Sequence, residues 1–203
     1  MTGRHPGGNG LPSPRAVIFD LDGTLVEPIL DFDAMRVEIG LRPGLPILEQ
    51  LAEGDDALRA RAEVVMRRHE LAAIAQATLS DGCVDLLEHL AARKVPVAIL
   101  TRNIREVVDS FIRKFALDFV AAYTREDGPP KPSPAGVLHL CQRLGAAPAD
   151  TLTVGDYKFD IIAGLRAGCR TALVTPTPPE DLAAWGPPHI VVRSLRELVP
   201  LFV

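Results

Sequence analysis

Ala16-Val17-Ile18-Phe19-Asp20-Leu21-Asp22-Gly23-Thr24 is the stretch that decides the fold, because an apolar run ends there in two carboxylates. The run predicts a buried strand at about residues 15–20. Open α/β sheets bind their ligands beyond the carboxyl ends of strands, which makes Asp20 and Asp22 candidate site residues. A plain strand followed by an acidic turn fits the same letters, since Asp-Gly is common in turns. The rest of the chain must distinguish the two interpretations.

The composition is that of an ordinary globular protein, with 203 residues, 47% hydrophobic residues and a net charge of −4. This charge gives no electrostatic footprint for nucleic acid. No apolar stretch approaches the ~20 residues of a membrane span, and residues 1–14 lack the apolar centre of a secretory signal. The three cysteines are far apart, which favours a reducing compartment. We therefore expect a cytoplasmic protein with a flexible tail at 1–14 and with no nucleic-acid or membrane partner.

Beyond residue 79, short apolar runs alternate with helical patterns. Strands are predicted at 95–100, 119–123, 151–154, 171–174 and 190–192. This alternation predicts an α/β protein with a mostly parallel sheet. Asn103 and Glu106 have the spacing of an N-cap pair, which predicts that a helix starts at Asn103. Ser133 and Pro134 predict another helix start, with Gly145 as its end.

Residues 30–79 have a different pattern, because apolar residues recur there at helical rather than alternating spacing. Met35 and Ile39 share one helical face, and Pro46 begins a second short helix. A long helix is predicted at about 55–79. The segment therefore predicts a small helical cap domain at 30–79, which is inserted into a core domain formed by 15–29 and 80–203. We expect this cap domain to act as a lid.

Polar residues follow four of the predicted strands: Asp20 and Asp22, then Thr101, Lys131 and Asp156. A parallel sheet brings such strand ends to one edge. The set suits phosphoryl transfer through a covalent aspartyl-phosphate with Asp20 as the nucleophile. Asp20 and Asp156 would bind Mg²⁺, which prefers oxygen ligands. Asp22 would carry the proton to the leaving group and from water, while Lys131 and Thr101 would hold the phosphate.

Three further residues have supporting roles in this interpretation. Arg102 and Asn103 directly follow Thr101 and are candidate phosphate-binding residues, although Asn103 also has an adequate role as a helix cap. Asp160 lies one helical turn beyond Asp156 and would support the metal site or the lysine.

The combination resembles the haloacid dehalogenase-like hydrolase superfamily, and its phosphoglycolate phosphatase-like branch most. The four motifs match as Asp20-Leu21-Asp22-Gly23-Thr24, Leu100-Thr101-Arg102-Asn103, Lys131-Pro132-Ser133-Pro134 and Val154-Gly155-Asp156-Tyr157-Lys158-Phe159-Asp160. The resemblance covers about residues 15–203. It implies a Rossmann-like three-layer core, a Mg²⁺ cofactor, the roles given above and a type-one helical cap. It also implies that the backbone carbonyl of Asp22 is a metal ligand. Tyr157 stands where this branch often has Ser.

Several other functions share part of this pattern. Haloacid dehalogenases generally lack the second acid, so Asp22 favours phosphate esters, and the expected partner is a small phosphorylated metabolite. A phosphomutase of the β-phosphoglucomutase type shares all four motifs and differs in how water is excluded. A signalling receiver domain is shorter and carries its phosphorylated Asp mid-chain. A non-catalytic phosphate-binding protein on the same fold is a further alternative.

Overall fold

The computed structural model describes residues 13–202. Six parallel strands form one sheet in the order β3-β2-β1-β4-β5-β6. The strands are β1 (Ala16–Phe19), β2 (Val97–Leu100), β3 (Ala121–Tyr123), β4 (Thr151–Gly155), β5 (Arg170–Val174) and β6 (Ile190–Val192). The sheet confirms the predicted α/β class. The order reverses direction at β1, so the carboxyl end of β1 lies at the switch point where such sheets bind ligands.

Seven α-helices accompany the sheet in the described part of the chain. They are α1 (Phe32–Ile39), α2 (Ile47–Ala52), α3 (Asp56–Gln76), α4 (Cys83–Ala92), α5 (Arg105–Phe115), α6 (Ala135–Leu144) and α7 (Lys158–Ala167). Short 3₁₀ segments lie at Pro148–Asp150, Leu182–Trp185 and Leu195–Leu201. None of the helices in residues 13–202 is both long and apolar enough to cross a membrane.

Alternate residues of β1 pack against different helix layers, which makes the core a three-layer structure. Val17 and Phe19 face the cluster that includes residues of α4 and α5. Ala16 and Ile18 face the cluster formed with α6 and α7. Both faces of the central strand are therefore covered, as a parallel sheet requires. This explains why the sequence of β1 is a continuous apolar run.

Helices α1, α2 and α3 lie between β1 and α4 and form the helical insertion (residues 30–79). This insertion has its own apolar cluster, centred on Met35, Ile39, Ala62 and Met66. The chain leaves the sheet and returns to it side by side, because Glu27 N donates to Thr78 O and Ser80 N donates to Leu25 O. The two connections therefore hold the insertion above the carboxyl end of β1.

Two predicted helix starts differ from the structure. Helix α5 begins at Arg105 with Ile104 as its extended N-cap residue, so the predicted cap by Asn103 is wrong. The Asn103 side chain instead donates to Asp22, which lies 81 residues away in the chain. Helix α6 begins at Ala135, with Pro134 at the N-cap, and ends at Gly145 as predicted. Of the predicted tail at 1–14, residues 1–12 lie outside the described residues.

Candidate active site

All eight candidate residues of the sequence line one cavity of about 390 Å³, between the carboxyl edge of the sheet and the helical insertion. The parallel register explains this convergence, since β1 ends beside both β2 and β4. The residues at this cavity are Asp20, Asp22, Thr101, Arg102, Asn103, Lys131, Asp156 and Asp160. The cavity falls within the size range of sites for small ligands.

Lys131 lies at the centre of the charged groups. Its Nζ is 2.5 Å from Asp20 Oδ1 and 2.5 Å from Asp160 Oδ1, and the side chain is only 4% exposed. Burial by itself lowers the pKa of Lys131, but the carboxylates of Asp160 and Asp20 outweigh it and raise the pKa above its usual range. The ammonium group therefore stays charged and fixes the orientation of Asp20.

Asp20, Asp156 and Asp160 each present a carboxylate oxygen within 4.8 Å of the others. Burial, together with the charges of Asp20 and Asp160, raises the pKa of Asp156 to about 8. Burial likewise raises the pKa of Asp160 to about 6, although Lys131 opposes the shift. Three largely buried acids and one lysine leave an excess of negative charge, which a divalent cation with oxygen ligands would balance. The donor set therefore fits Mg²⁺.

The backbone leaves room for these carboxylates only because two positions lack a side chain. Gly23 has a φ of +77°, and a Cβ there would lie 2.3 Å from Asp156 Oδ2. A Cβ on Gly155 would lie 2.2 Å from the Asp160 carboxyl carbon. Asp160 also accepts a hydrogen bond from Tyr157 N, at the start of α7. Both of its oxygens are thus used, by Lys131 and by the Tyr157 amide.

Asp22 has a separate partner, because the Asn103 amide donates to its Oδ2. Burial raises the pKa of Asp22, and the Asn103 hydrogen bond and Lys131 only partly offset this. The Asn103 backbone N in turn donates to Thr101 Oγ1 over 3.1 Å. The loop after β2 therefore positions the second carboxyl group of the β1 motif. A buried carboxyl group of raised pKa is suited to holding a proton.

Arg102 connects the core to the insertion. Its guanidinium donates to both carboxylate oxygens of Glu49, at 3.0 and 2.7 Å, and lies 4.5 Å above the Phe159 ring. It also donates to Lys131 O over 3.1 Å. Residues of α2 and α7 thus orient the Arg102 side chain in this structure. A phosphate-binding role for Arg102 stays a prediction.

Sequence reasoning missed a further ion pair at the cavity, between Glu70 of α3 and Arg125 of the loop after β3. Arg125 Nη1 donates to Glu70 Oε1 over 2.6 Å and to Arg102 O over 3.1 Å. Burial raises the pKa of Glu70 to about 7, and Arg125 only partly offsets it. A sequence signal existed, because Glu70 lies four residues from both Met66 and Ile74 on the buried stripe of α3.

Comparison with known proteins identifies the family of this chain. The profile of the family described as haloacid dehalogenase-like hydrolase matches residues 43–174. A haloacid dehalogenase-like hydrolase domain-containing protein of Arabidopsis thaliana is 31% identical over 91% of this chain and 82% of its own length. A phosphoglycolate phosphatase of Chromobacterium violaceum is 30% identical over 92% of this chain and 96% of its own length. The crystal structure of a hydrolase from Pseudomonas syringae has the same fold, with a TM-score of 0.77 and 21% identity, over 91% of this chain and 96% of that one.

Proposed function

The chain is a phosphohydrolase of the haloacid dehalogenase-like hydrolase family, and from that premise we propose that it hydrolyses a small phosphate monoester through a phosphorylated Asp20, with Mg²⁺ as cofactor. One observation carries the proposal: Asp20 and Asp22 line the same cavity but have different partners. Asp20 is held by Lys131, whereas Asp22 is held by Asn103. A fixed anionic nucleophile next to an independent proton carrier is what cleavage through a phospho-enzyme requires.

Asp20 and Asp156, together with the backbone carbonyl of Asp22, would hold the Mg²⁺ ion, which supplies positive charge at the reacting phosphate. Asp160 would support this arrangement indirectly, by holding Lys131 in place, because both of its oxygens already accept hydrogen bonds from Lys131 and Tyr157 N. Lys131 would neutralise the remaining charge of the phosphate. Thr101 and the amides that follow it would bind phosphoryl oxygens.

In the first step, a carboxylate oxygen of Asp20 attacks phosphorus while Asp22 donates its proton to the departing ester oxygen. The alcohol leaves, and the phosphoryl group is bonded to Asp20. In the second step, Asp22 takes a proton from a water molecule that attacks the same phosphorus. The bond to Asp20 breaks, and inorganic phosphate leaves with Asp20 and Asp22 restored to their initial states.

The helical insertion would act as the cap domain that closes the site, as predicted from the sequence at 30–79. Ion pairs from three core residues hold it: Arg102 to Glu49, Arg125 to Glu70, and Glu106 to Arg67. Closure excludes bulk water from the charged groups, which strengthens their interactions with the phosphate.

The test is Mg²⁺-dependent hydrolysis of p-nitrophenyl phosphate by the wild type and by Asp20→Asn. We expect a loss on the order of 10³-fold or more in kcat, because the amide is not a nucleophile. The matched control is Asp109→Asn, an exposed acid on α5, which should leave kcat unchanged. An active Asp20→Asn enzyme would contradict the covalent mechanism.

Two outcomes of the same assay would favour the alternatives. A wild type without Mg²⁺-dependent turnover would favour a non-catalytic phosphate-binding protein. A wild type that converts a hexose 1-phosphate to its 6-phosphate without releasing inorganic phosphate would favour a phosphomutase.

A further inference from the structure

The part of the cavity formed by the helical insertion is mainly apolar. Beyond the catalytic carboxylates, the surface against which the leaving alcohol would lie comes from hydrophobic side chains of α1, α2 and α3. They are Phe32, Met35, Ile47, Leu48 and Met66, to which Phe159 of the core adds an aromatic ring. Such a surface favours an alcohol with little charge, because burying an unpaired charge there costs desolvation energy.

Each cationic side chain that lines the cavity in the described residues already has a carboxylate partner. Lys131 lies between Asp20 and Asp160. Arg102 donates both of its Nη groups to Glu49. Arg36 pairs with Asp33 at 2.5 Å and donates from Nε to Leu45 O over 2.8 Å. A carboxylate on the leaving alcohol would have to compete with these partners for the same cations.

Glu70 is the acid that the catalytic roles leave unused. Its side chain lines the cavity and is 2% exposed. Oε1 accepts from Arg125, whereas Oε2 is buried and has no hydrogen-bond partner among residues 13–202. Burial raises the pKa of Glu70 and the nearby charge of Asp22 adds to this rise, whereas Arg125 and the Ile104 amide only partly offset it. A buried acceptor without a partner is costly, and a donor on the substrate would satisfy it.

On the basis of the proposed function, we propose that Glu70 is a specificity residue for the leaving alcohol. It selects phosphate esters whose alcohol is uncharged and carries a hydrogen-bond donor, and it excludes esters whose alcohol carries a carboxylate. The donor would bind Oε2, while Arg125 keeps Oε1 in place. A carboxylate at the same position would face a like charge in a desolvated cavity, which strongly disfavours binding.

The experiment compares two substrates of nearly identical shape, phosphoglycolate and the phosphate ester of glycolamide. Phosphoglycolate carries a carboxylate, whereas the glycolamide ester carries a neutral carboxamide that can donate a hydrogen bond. The assay is run at pH 8 with Mg²⁺, above the pKa of about 7 for Glu70. We expect the wild-type kcat/KM to be at least about tenfold higher for the carboxamide. The Chromobacterium violaceum relative makes this a demanding test, since that protein is named for phosphoglycolate, the ester that we expect this chain to disfavour.

Glu70→Gln should remove the preference or reverse it. The Gln oxygen can still accept from Arg125, and its NH₂ group then replaces Oε2 as a donor that suits a carboxylate. The matched control is Glu63→Gln, because Glu63 lies on the same helix and pairs with the same arginine but does not line the cavity. We expect Glu63→Gln to keep the wild-type ratio. The ratio of two substrates on one enzyme does not depend on how much of a variant folds.

The outcomes separate this proposal from the proposed function. Hydrolysis of p-nitrophenyl phosphate without a preference for the carboxamide, including no turnover of either ester, would overturn the role of Glu70 while the phosphatase activity stands. An unchanged ratio in Glu70→Gln, or an equal loss of preference in Glu63→Gln, would also overturn it. No turnover of any ester by the wild type would reject the proposed function itself.

Discussion

Asp20 and Asp22 are separated by one residue, yet their carboxyl groups meet different environments. The Asp20 carboxylate is bound by an ammonium group, and the Asp22 carboxyl group by a neutral amide. Burial raises the pKa of both, and only Asp20 has a direct cationic partner to oppose the shift. This difference fits the roles proposed for the two residues, with Asp20 as nucleophile and Asp22 as proton carrier.

Replacing Asp22 with Asn tests the proton carrier. The amide keeps the size of the side chain but cannot give or take the proton, so we expect kcat for an alkyl phosphate to fall by about 10²–10⁴-fold. The apparent Mg²⁺ affinity should stay close to that of the wild type, because the backbone carbonyl is unchanged. Steady-state kinetics and a Mg²⁺ titration measure both quantities. A variant with normal turnover would rule out the assigned role.

Helix α3 is the element that carries Glu70 to the cavity, and its carboxyl-terminal end is held by a lysine of α5. Lys114 Nζ donates to the backbone carbonyls of Ile74, Ala75 and Ala77, at 3.2, 2.8 and 2.7 Å. A helix end has carbonyl groups without intrahelical partners and a partial negative charge. The ammonium group of Lys114 binds these carbonyl groups and balances the partial negative charge. It therefore holds the insertion on the core at a site outside the cavity.

Lys114→Met should therefore lower the free energy of unfolding by about 1–2 kcal/mol. Urea denaturation measures this value. Arg113→Met is the matched control, because Arg113 is the neighbouring cation on the same helix and its side chain donates a hydrogen bond to the Ser110 side chain rather than to the end of α3. That variant should change stability by less than about 0.5 kcal/mol. Equal effects of the two substitutions would show that the carbonyl contacts of Lys114 do not contribute.

Four acids with a raised pKa lie at one edge of the sheet, and this links the stability of the whole molecule to pH and to Mg²⁺. The pKa of Asp156 is about 8 and that of Asp160 about 6 in the folded protein, above the ordinary value of 3.8. The folded state therefore binds more protons than the unfolded state between about pH 4 and pH 8. The free energy of unfolding is highest while these groups are protonated, and it decreases as the pH rises through this range.

In EDTA, the melting temperature of the wild type should fall between pH 5 and pH 8 by more than that of Asp156→Asn, which lacks one of these two acids. Mg²⁺ should raise the melting temperature more at pH 8 than at pH 6, because it must displace the bound protons at the lower pH. Thermal unfolding at the two pH values, with and without Mg²⁺, measures the effect. The same Mg²⁺ increment at both pH values would contradict the linkage.

The sequence by itself determined the family and the α/β class, and both predictions are confirmed. It could do so because apolar runs that end in acids, Thr101 and Lys131 are local patterns, and parallel strands must bring their carboxyl ends together. The boundaries of the core and cap domains stay predictions, as do the roles of the site residues.

Only the tertiary structure decided how the side chains at this edge are paired. Asn103 has the local pattern of a helix cap, but its amide reaches Asp22 across the sheet. Glu70 is an acid within the apolar stripe of α3, and nothing in its local sequence indicates a partner. Arg125, in a loop of the core 55 residues further along the chain, donates a hydrogen bond to it. Contacts between residues so far apart depend on how the insertion packs over the sheet, and periodicity and local spacing contain no information about that packing.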